Sequence, residues 1–263
     1  MSDSQSILVI VPSRLRRRDD GTFLFERAIR SIFNQTAAKG ISIDVVVGVD
    51  PGSEIPNVPS LPQNVRFTHA QKASQAAALN ASAGSLDHTY LAVLEDDDEW
   101  HPEFLRVALE ALKQLEFVSS TQLMVDTKGE VVCILDFPTP SGWVMERRIW
   151  HTVGPFDETY RFHLDNEWLG RLAEAGFKRG HLVEATAPIK VEWLKKMRPE
   201  LYRVVELGGP AVTFARHPFL TPLVRRLEHE ASGISLIYTD PSAREESEKE
   251  QARLQKRFGR IPW

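Results

Sequence analysis

LAVLEDDDEWHPEFL, residues 91–105, sets an apolar run directly against four consecutive acids, Glu95, Asp96, Asp97 and Asp98. Trp100, Pro102 and the apolar start of a helix follow. Like charges a few ångströms apart repel, and taking them out of water is costly unless a cation or a hydrogen-bond donor compensates. At the C-terminal end of a buried strand, clustered carboxylate oxygens suit a hard divalent cation, Mg²⁺ or Mn²⁺. The competing reading is a solvated acidic turn, because acids also favour a helix N-terminus. The neighbouring segments bear on the choice.

Upstream, Ile7–Val11 (ILVIV) is a continuous run rich in β-branched residues, as expected of a strand buried on both faces. Pro12 and Ser13 end it, and the charged stretch Arg14–Asp20 reads as a loop. Leu24, Phe25, Ala28, Ile29, Ile32 and Phe33 recur at helical spacing. Ile43–Val49 predicts a second strand stopped by Asp50-Pro51-Gly52-Ser53, Val65–Thr68 a short strand, and the Ala-rich residues 72–83 a helix. Tyr90–Leu94 is the strand that carries the acids, and Glu103–Leu115 an amphipathic helix. Alternating strands and helices predict an α/β layer with a mostly parallel central sheet flanked by helices. In such sheets ligands bind beyond the C-terminal strand ends. Pro12-Ser13, Asp50 and the acids at 95–98 all fall at such ends, which favours the metal reading.

The second half is less regular. Leu123–Val125 and Val131–Leu135 read as a hairpin, Trp143–Met145 as a strand, Arg147–Thr152 as a short helix and Leu164–Ala175 as a longer one. Residues 199–223, with four prolines and two glycines, read as loop. Arg244–Phe258 is a charged helix with few apolar positions that could pack loosely, mediate a homodimer or fray. The expected organisation is a catalytic domain over 1–190, with a nucleotide-binding half 1–102 and an acceptor half 103–190, followed by a C-terminal extension 191–263.

With 263 residues the chain is long enough for one large domain. Its formal net charge of −4 gives no general attraction to nucleic acid or anionic lipid. A single cysteine, Cys133, excludes an intramolecular disulfide and a cysteine-rich zinc site, and suits a reducing compartment. No signal peptide and no apolar stretch of membrane-spanning length is visible. A soluble, cytoplasmic protein is the expectation.

Five segments together resemble the family 2-type glycosyltransferases, which have the GT-A fold. They are ILVIVPSR (Ile7–Arg14), ERAIRSIFNQT (Glu26–Thr36), Val49-Asp50-Pro51-Gly52-Ser53, Leu94–Leu105, and Val153–Glu158 followed by Leu164–Leu172. Three departures stand out: Pro51 where the pattern has a second aspartate, Glu95 for the first acid of the metal motif, and Leu164 for the glutamate before Asp165.

The resemblance implies transfer of a sugar from a UDP- or GDP-sugar to a small-molecule or saccharide acceptor. It implies a divalent cation as cofactor and inversion at the anomeric carbon. On this reading Asp98 holds the metal with Asp96, while Asp96 and Asp97 share nucleotide and metal work. Pro12, Ser13, Arg14 and Asp50 line the nucleoside pocket, and Lys72 and Asn80 flank a helix that contributes nucleotide and sugar contacts. Asp165 is the general base and Glu167 its reserve. Each has a plainer alternative: a turn hydroxyl for Ser13, an Asx-type turn for Asp50, a solvated lysine for Lys72, a helix N-cap for Asp165. His163 and His181 are further candidates beside metal or acceptor, and Trp143, Trp150 and Trp168 for stacking on sugars or filling the core. Two other functions compete. One is a non-catalytic nucleotide-sugar-binding module of the same fold. The other is a nucleotidyltransferase, weakened by the lack of a Gly-rich loop after the first strand.

Overall fold

Ser6–Ser13 (β1) is apolar on both sides because both its faces are covered. Ile7, Val9 and Val11 pack with Phe25, Ile29, Ile32, Phe104 and Leu105, whereas Leu8 and Ile10 pack with Leu79, Trp143, Trp150 and Trp168. In the computed structural model the described residues are 5–187 apart from 19 and 39, together with 196 and 212–262 apart from 231.

Eight strands form the main sheet. β1 pairs in parallel with β2 (Ser42–Val49) and with β4 (Tyr90–Val93), and β2 pairs with β3 (Val65–His69). On the other side, β9 (Trp143–Glu146) runs antiparallel between β4 and β6 (Phe117–Ser120). β10 (Arg179–Val183) and β11 (Val212–Arg216) extend the sheet in parallel. The order is β11-β10-β6-β9-β4-β1-β2-β3. A second sheet has the order β5-β12-β7-β8, built from Glu99–Trp100, Val224–Leu227, Gln122–Val125 and Val131–Leu135. The hairpin expected at 123–135 is β7 and β8, paired antiparallel.

One core lies between the main sheet and helices α1 (Leu24–Phe33) and α3 (Phe104–Ala111). The other lies against α2 (Gln75–Ala83), α4 (Arg147–Val153) and α5 (Leu164–Glu174). Trp143, Trp150 and Trp168 all stack within this second core, with Trp143 and Trp168 centroids 5.2 Å apart. Core packing, rather than sugar stacking, is their place. α6 (Gly233–Thr239) and α7 (Pro241–Phe258) follow β12.

The reading of 199–223 as loop is corrected in part: 212–216 is strand β11, paired along its length with β10, while 199–211 lies outside the described residues. The stretch expected to form an extension therefore supplies a strand to each sheet. β12 pairs in parallel with β7 and antiparallel with β5, the strand that follows the acids. No helix among the described residues is long and apolar enough to cross a membrane.

Candidate donor site and acceptor wall

The C-terminal ends of β1, β2 and β4 open into one cavity of about 160 Å³. Pro12, Ser13, Arg14, Asp50, Glu95, Asp96 and Asp97 line it from the sheet side. Gln75 reaches it from α2, Arg161 and Phe162 from the segment before α5, and Arg226 and His229 from β12 and the turn after it.

Hydrogen bonds fix the sheet side. Ser13 Oγ donates to Asp96 Oδ2 (2.6 Å) and accepts from the Leu15 N–H (3.0 Å). Leu15 has φ 53°, a left-handed conformation that a branched residue adopts only at some cost. Gln75 Nε2 donates to Glu95 Oε1 (2.5 Å). His229 Nε2 lies 2.8 Å from Asp97 Oδ2.

Asp98 is not on the cavity wall. Its carboxylate accepts from Ser141 Oγ (2.5 Å) and from the Leu227 N–H (3.1 Å), and only 1% of the residue is exposed. It ties the acidic turn to β12. Burial, reinforced by Asp97, pushes its carboxyl well above the usual carboxylate range. The same causes raise Asp96 to about 7 and also lift Glu95.

Into this cluster β12 inserts Arg226. Burial alone would favour the neutral form, but Glu95, Asp98, Asp97 and Asp165 hold the guanidinium protonated. Its Nη1 is buried with no hydrogen-bond partner among the described residues. A buried donor left unpaired is costly, so Nη1 is a group with hydrogen-bonding capacity to offer an anion.

Asp165 sits in the first turn of α5, buried, with Oδ1 accepting from the Asn166 N–H (2.8 Å). Burial raises its pKa to about 6, against the pull of His163. Glu95 and Arg226 are both close enough to act on it electrostatically, which joins α5 to the cavity. Glu167 is 1% exposed and accepts from Arg171 Nη2 (2.8 Å) and Arg257 Nη1 (2.7 Å); it braces two helices. Lys72 is exposed and pairs with Glu158 at 3.2 Å. Asn80 Oδ1 accepts from the Phe156 N–H (2.8 Å), and its Nδ2 donates to the Phe156 carbonyl (3.0 Å). Neither Lys72 nor Asn80 lines the cavity. His181 is fully buried against Ser119 Oγ (2.7 Å), and burial lowers its pKa to about 3; it is a core residue of β10. His163 Nε2 lies 2.8 Å from Ser247 Oγ.

Asp96, Asp97 and His229 bring two carboxylates and an imidazole to the same cavity. The two carboxylates are oxygen ligands of the kind that Mn²⁺ or Mg²⁺ takes when phosphate oxygens and waters complete its shell. Among the described residues no three His, Cys, Asp or Glu side chains are already gathered around a common point. Arg226, His229 and Arg161 were not anticipated from sequence. Their positions follow from pairing between β12 and β5, and no local pattern carries that pairing.

No family model matches the chain, and no curated protein does. Solved structures do. The crystal structure of S. aureus TarS superposes with TM-score 0.53 at 10% identity, over 97% of this chain and 44% of that one. TarS 1–349 in complex with UDP superposes with TM-score 0.52 at 10% identity, over 97% of this chain and 72% of that one. The fold is the GT-A fold of glycosyltransferases. At this identity the likeness is one of fold, and the chain spans under half the length of the first of these structures.

Proposed function

We propose that the protein is a glycosyltransferase that moves a sugar from a nucleoside-diphosphate sugar to an acceptor hydroxyl, with inversion at the anomeric carbon. The observation that supports this best is the convergence of Ser13, Asp50, Asp96, Asp97 and Arg226 on one cavity at the strand ends, with buried Asp165 within electrostatic reach of its wall. The UDP bound to TarS 1–349 makes a uridine donor the first to test.

Asp50, Pro12 and Ser13 would hold the nucleoside end. Arg226 would donate to the diphosphate through its unpartnered Nη1 and offset the charge that grows on the leaving oxygen. Asp96, Asp97 and His229 would hold a divalent cation, which supplies Lewis-acid stabilisation of the diphosphate. Asp165 would take the acceptor hydroxyl's proton as the oxygen bonds to the anomeric carbon. The bond from that carbon to the diphosphate breaks, and its electron pair leaves with the diphosphate. A base with a pKa of about 6 is mostly ionised at neutral pH yet still basic enough to accept the proton.

The test is Mn²⁺-dependent UDP release from UDP-sugars, wild type against Asp97→Ala, with UDP binding followed by calorimetry. Release by wild type and a loss of at least a hundredfold in Asp97→Ala is the expected result. Equal release by both proteins removes Asp97 from the site. UDP binding without release from any UDP- or GDP-sugar supports a binding module instead, and pyrophosphate release from nucleoside triphosphates a nucleotidyltransferase.

A further inference from the structure

Terminal helix α7 is 18 residues long and strongly charged, and four of its residues are buried: Ala243, Ser247, Glu250 and Leu254. Two of the four are polar, and both turn to the same short segment. Glu250 Oε1 accepts from the Arg161 N–H (2.6 Å), and its Oε2 accepts from the N–H groups of Phe162 and His163 (2.9 Å each). Ser247 Oγ meets His163 Nε2 (2.8 Å), and His163 Nδ1 meets Asn166 Oδ1 (2.9 Å). His163 is the N-cap of α5 and its side chain caps nothing, so the buried carboxylate of Glu250 does the anchoring from outside. Burying a carboxylate is costly unless donors surround it. Here three backbone N–H groups do, on the segment that carries Arg161 and Phe162 into the donor cavity and leads two residues later to Asp165.

We infer that Glu250 is a positioning residue: its carboxylate fixes residues 161–163 and thereby sets the first turn of α5, holding Asp165 toward the donor cavity. This rests on Asp165 being the base of the reaction proposed above. Charge-assisted bonds from a carboxylate to backbone N–H groups are stronger than neutral ones. Glutamine at 250 keeps the size of the side chain, but its NH₂ group cannot accept, so at least one of the three bonds is lost.

The experiment compares wild type with Glu250→Gln and the milder Ser247→Ala. It measures melting temperature, UDP affinity, steady-state hydrolysis of a UDP-sugar, and titration of the Asp165 carboxyl by NMR. The groups acting on Asp165 are His163, Glu95, Arg226 and the Asn166 N–H. Loosening the turn exposes the carboxyl to water. Glu250→Gln should lose at least tenfold in kcat per folded molecule, with UDP affinity and donor KM changed less than threefold. The Asp165 titration should move from about 6 toward its ordinary 3.8. Ser247→Ala should shift both in the same direction by less, and it serves alone if Glu250→Gln does not fold. A fall in melting temperature with kcat and titration unchanged overturns the inference, as does an effect confined to donor KM. If wild type hydrolyses no donor, the transferase reading fails, and the Asp165 titration still decides whether Glu250 positions that turn.

Discussion

The two walls of the candidate site are built in opposite ways. The donor wall comes from short contiguous segments at the ends of β1, β2 and β4, each locked by the strand that carries it and by parallel pairing over its length. The wall that the proposed reaction gives to the acceptor, residues 159–171 around Asp165, is held from far along the chain. Glu250 anchors its backbone, Arg257 pairs with Glu167, and the Pro262 carbonyl accepts from Asn166 Nδ2 (2.6 Å). One wall is a product of the sheet core. The other also adds Tyr160, Leu164, Trp168 and Leu169 to the second core, but its backbone at 161–163 is held by a polar helix, and whether it loosens without the sheet melting can be tested by substitution.

The largest effect should come from Asp165→Asn. General base catalysis is typically worth 10²- to 10⁴-fold, so kcat for transfer or donor hydrolysis should fall by about a thousandfold while UDP affinity holds. Stability should move the other way. Asp165 has a folded pKa of about 6 against an ordinary 3.8. Its protonated form therefore contributes stability that is complete below about pH 4 and is lost as pH rises through 6. Asparagine keeps the acceptor for the Asn166 N–H and cannot ionise. Melting curves should nearly coincide at or below about pH 4, and the variant should be more stable by about 3 kcal/mol at pH 8. A variant whose advantage over wild type is no larger at pH 8 than at pH 4 would place Asp165 outside the buried environment described. Lost UDP binding with a normal fold would place it on the donor wall.

Next in size is Gly48→Ala, beneath the donor wall. The new Cβ would lie 2.5 Å from Ser82 Oγ and 2.9 Å from the Ala78 carbonyl carbon, and against that carbonyl's oxygen. These are backbone and side-chain atoms of α2, which is packed onto β1 and β2. Neither partner can yield, so a loss of about 3 kcal/mol is expected, read as a large fall in melting temperature or as insoluble protein. A variant as stable as wild type would show that α2 is not pressed against β2.

The same contrast governs what the sequence disclosed. β1 and β2 are buried on both faces over most of their length, and apolar runs such as ILVIV and VVVGV announce that burial directly. Strand ends then converge by topology, which is why Pro12, Ser13, Asp50, Asp96 and Asp97 were legible as neighbours. Within the acid run the order of roles was not legible. Adjacent residues in a tight turn point in different directions, so Asp97 reaches the cavity while Asp98 turns to Ser141 and Leu227. β6 and β10 escaped notice because Ser119, Ser120, Arg179 and His181 break their apolar pattern, although the sheet buries all four. β12 (VRRL) carries two arginines in four residues, and what makes it a strand is its pairing with β5 and β7. Glu250 shares a helical face with Ala243 and Leu254, but an acid at that place does not announce burial; the three N–H groups that surround it do.

The smallest effect expected is the one that most sharply divides the walls. Gly170 lies inside α5, and a Cβ there would sit 2.5 Å from Phe258 Cζ and 2.7 Å from its Cε1. Unlike Ala78 at Gly48, Phe258 is a side chain at the very end of α7, and it can be displaced. Alanine also favours an α-helix over glycine by about 1 kcal/mol, which offsets part of what the lost packing costs. Gly170→Ala should therefore change global stability by no more than about 1 kcal/mol, a few degrees in melting temperature for a chain of this size. The end of α7 should lift instead. Amides of 252–262 should exchange faster by hydrogen–deuterium exchange, and the Arg257–Glu167 pair should weaken, with β1, β2 and β4 protected as before. Global destabilisation on the scale of Gly48→Ala would mean that α7 belongs to the same cooperative unit as the sheet, and the picture of a separately clamped acceptor wall would be wrong.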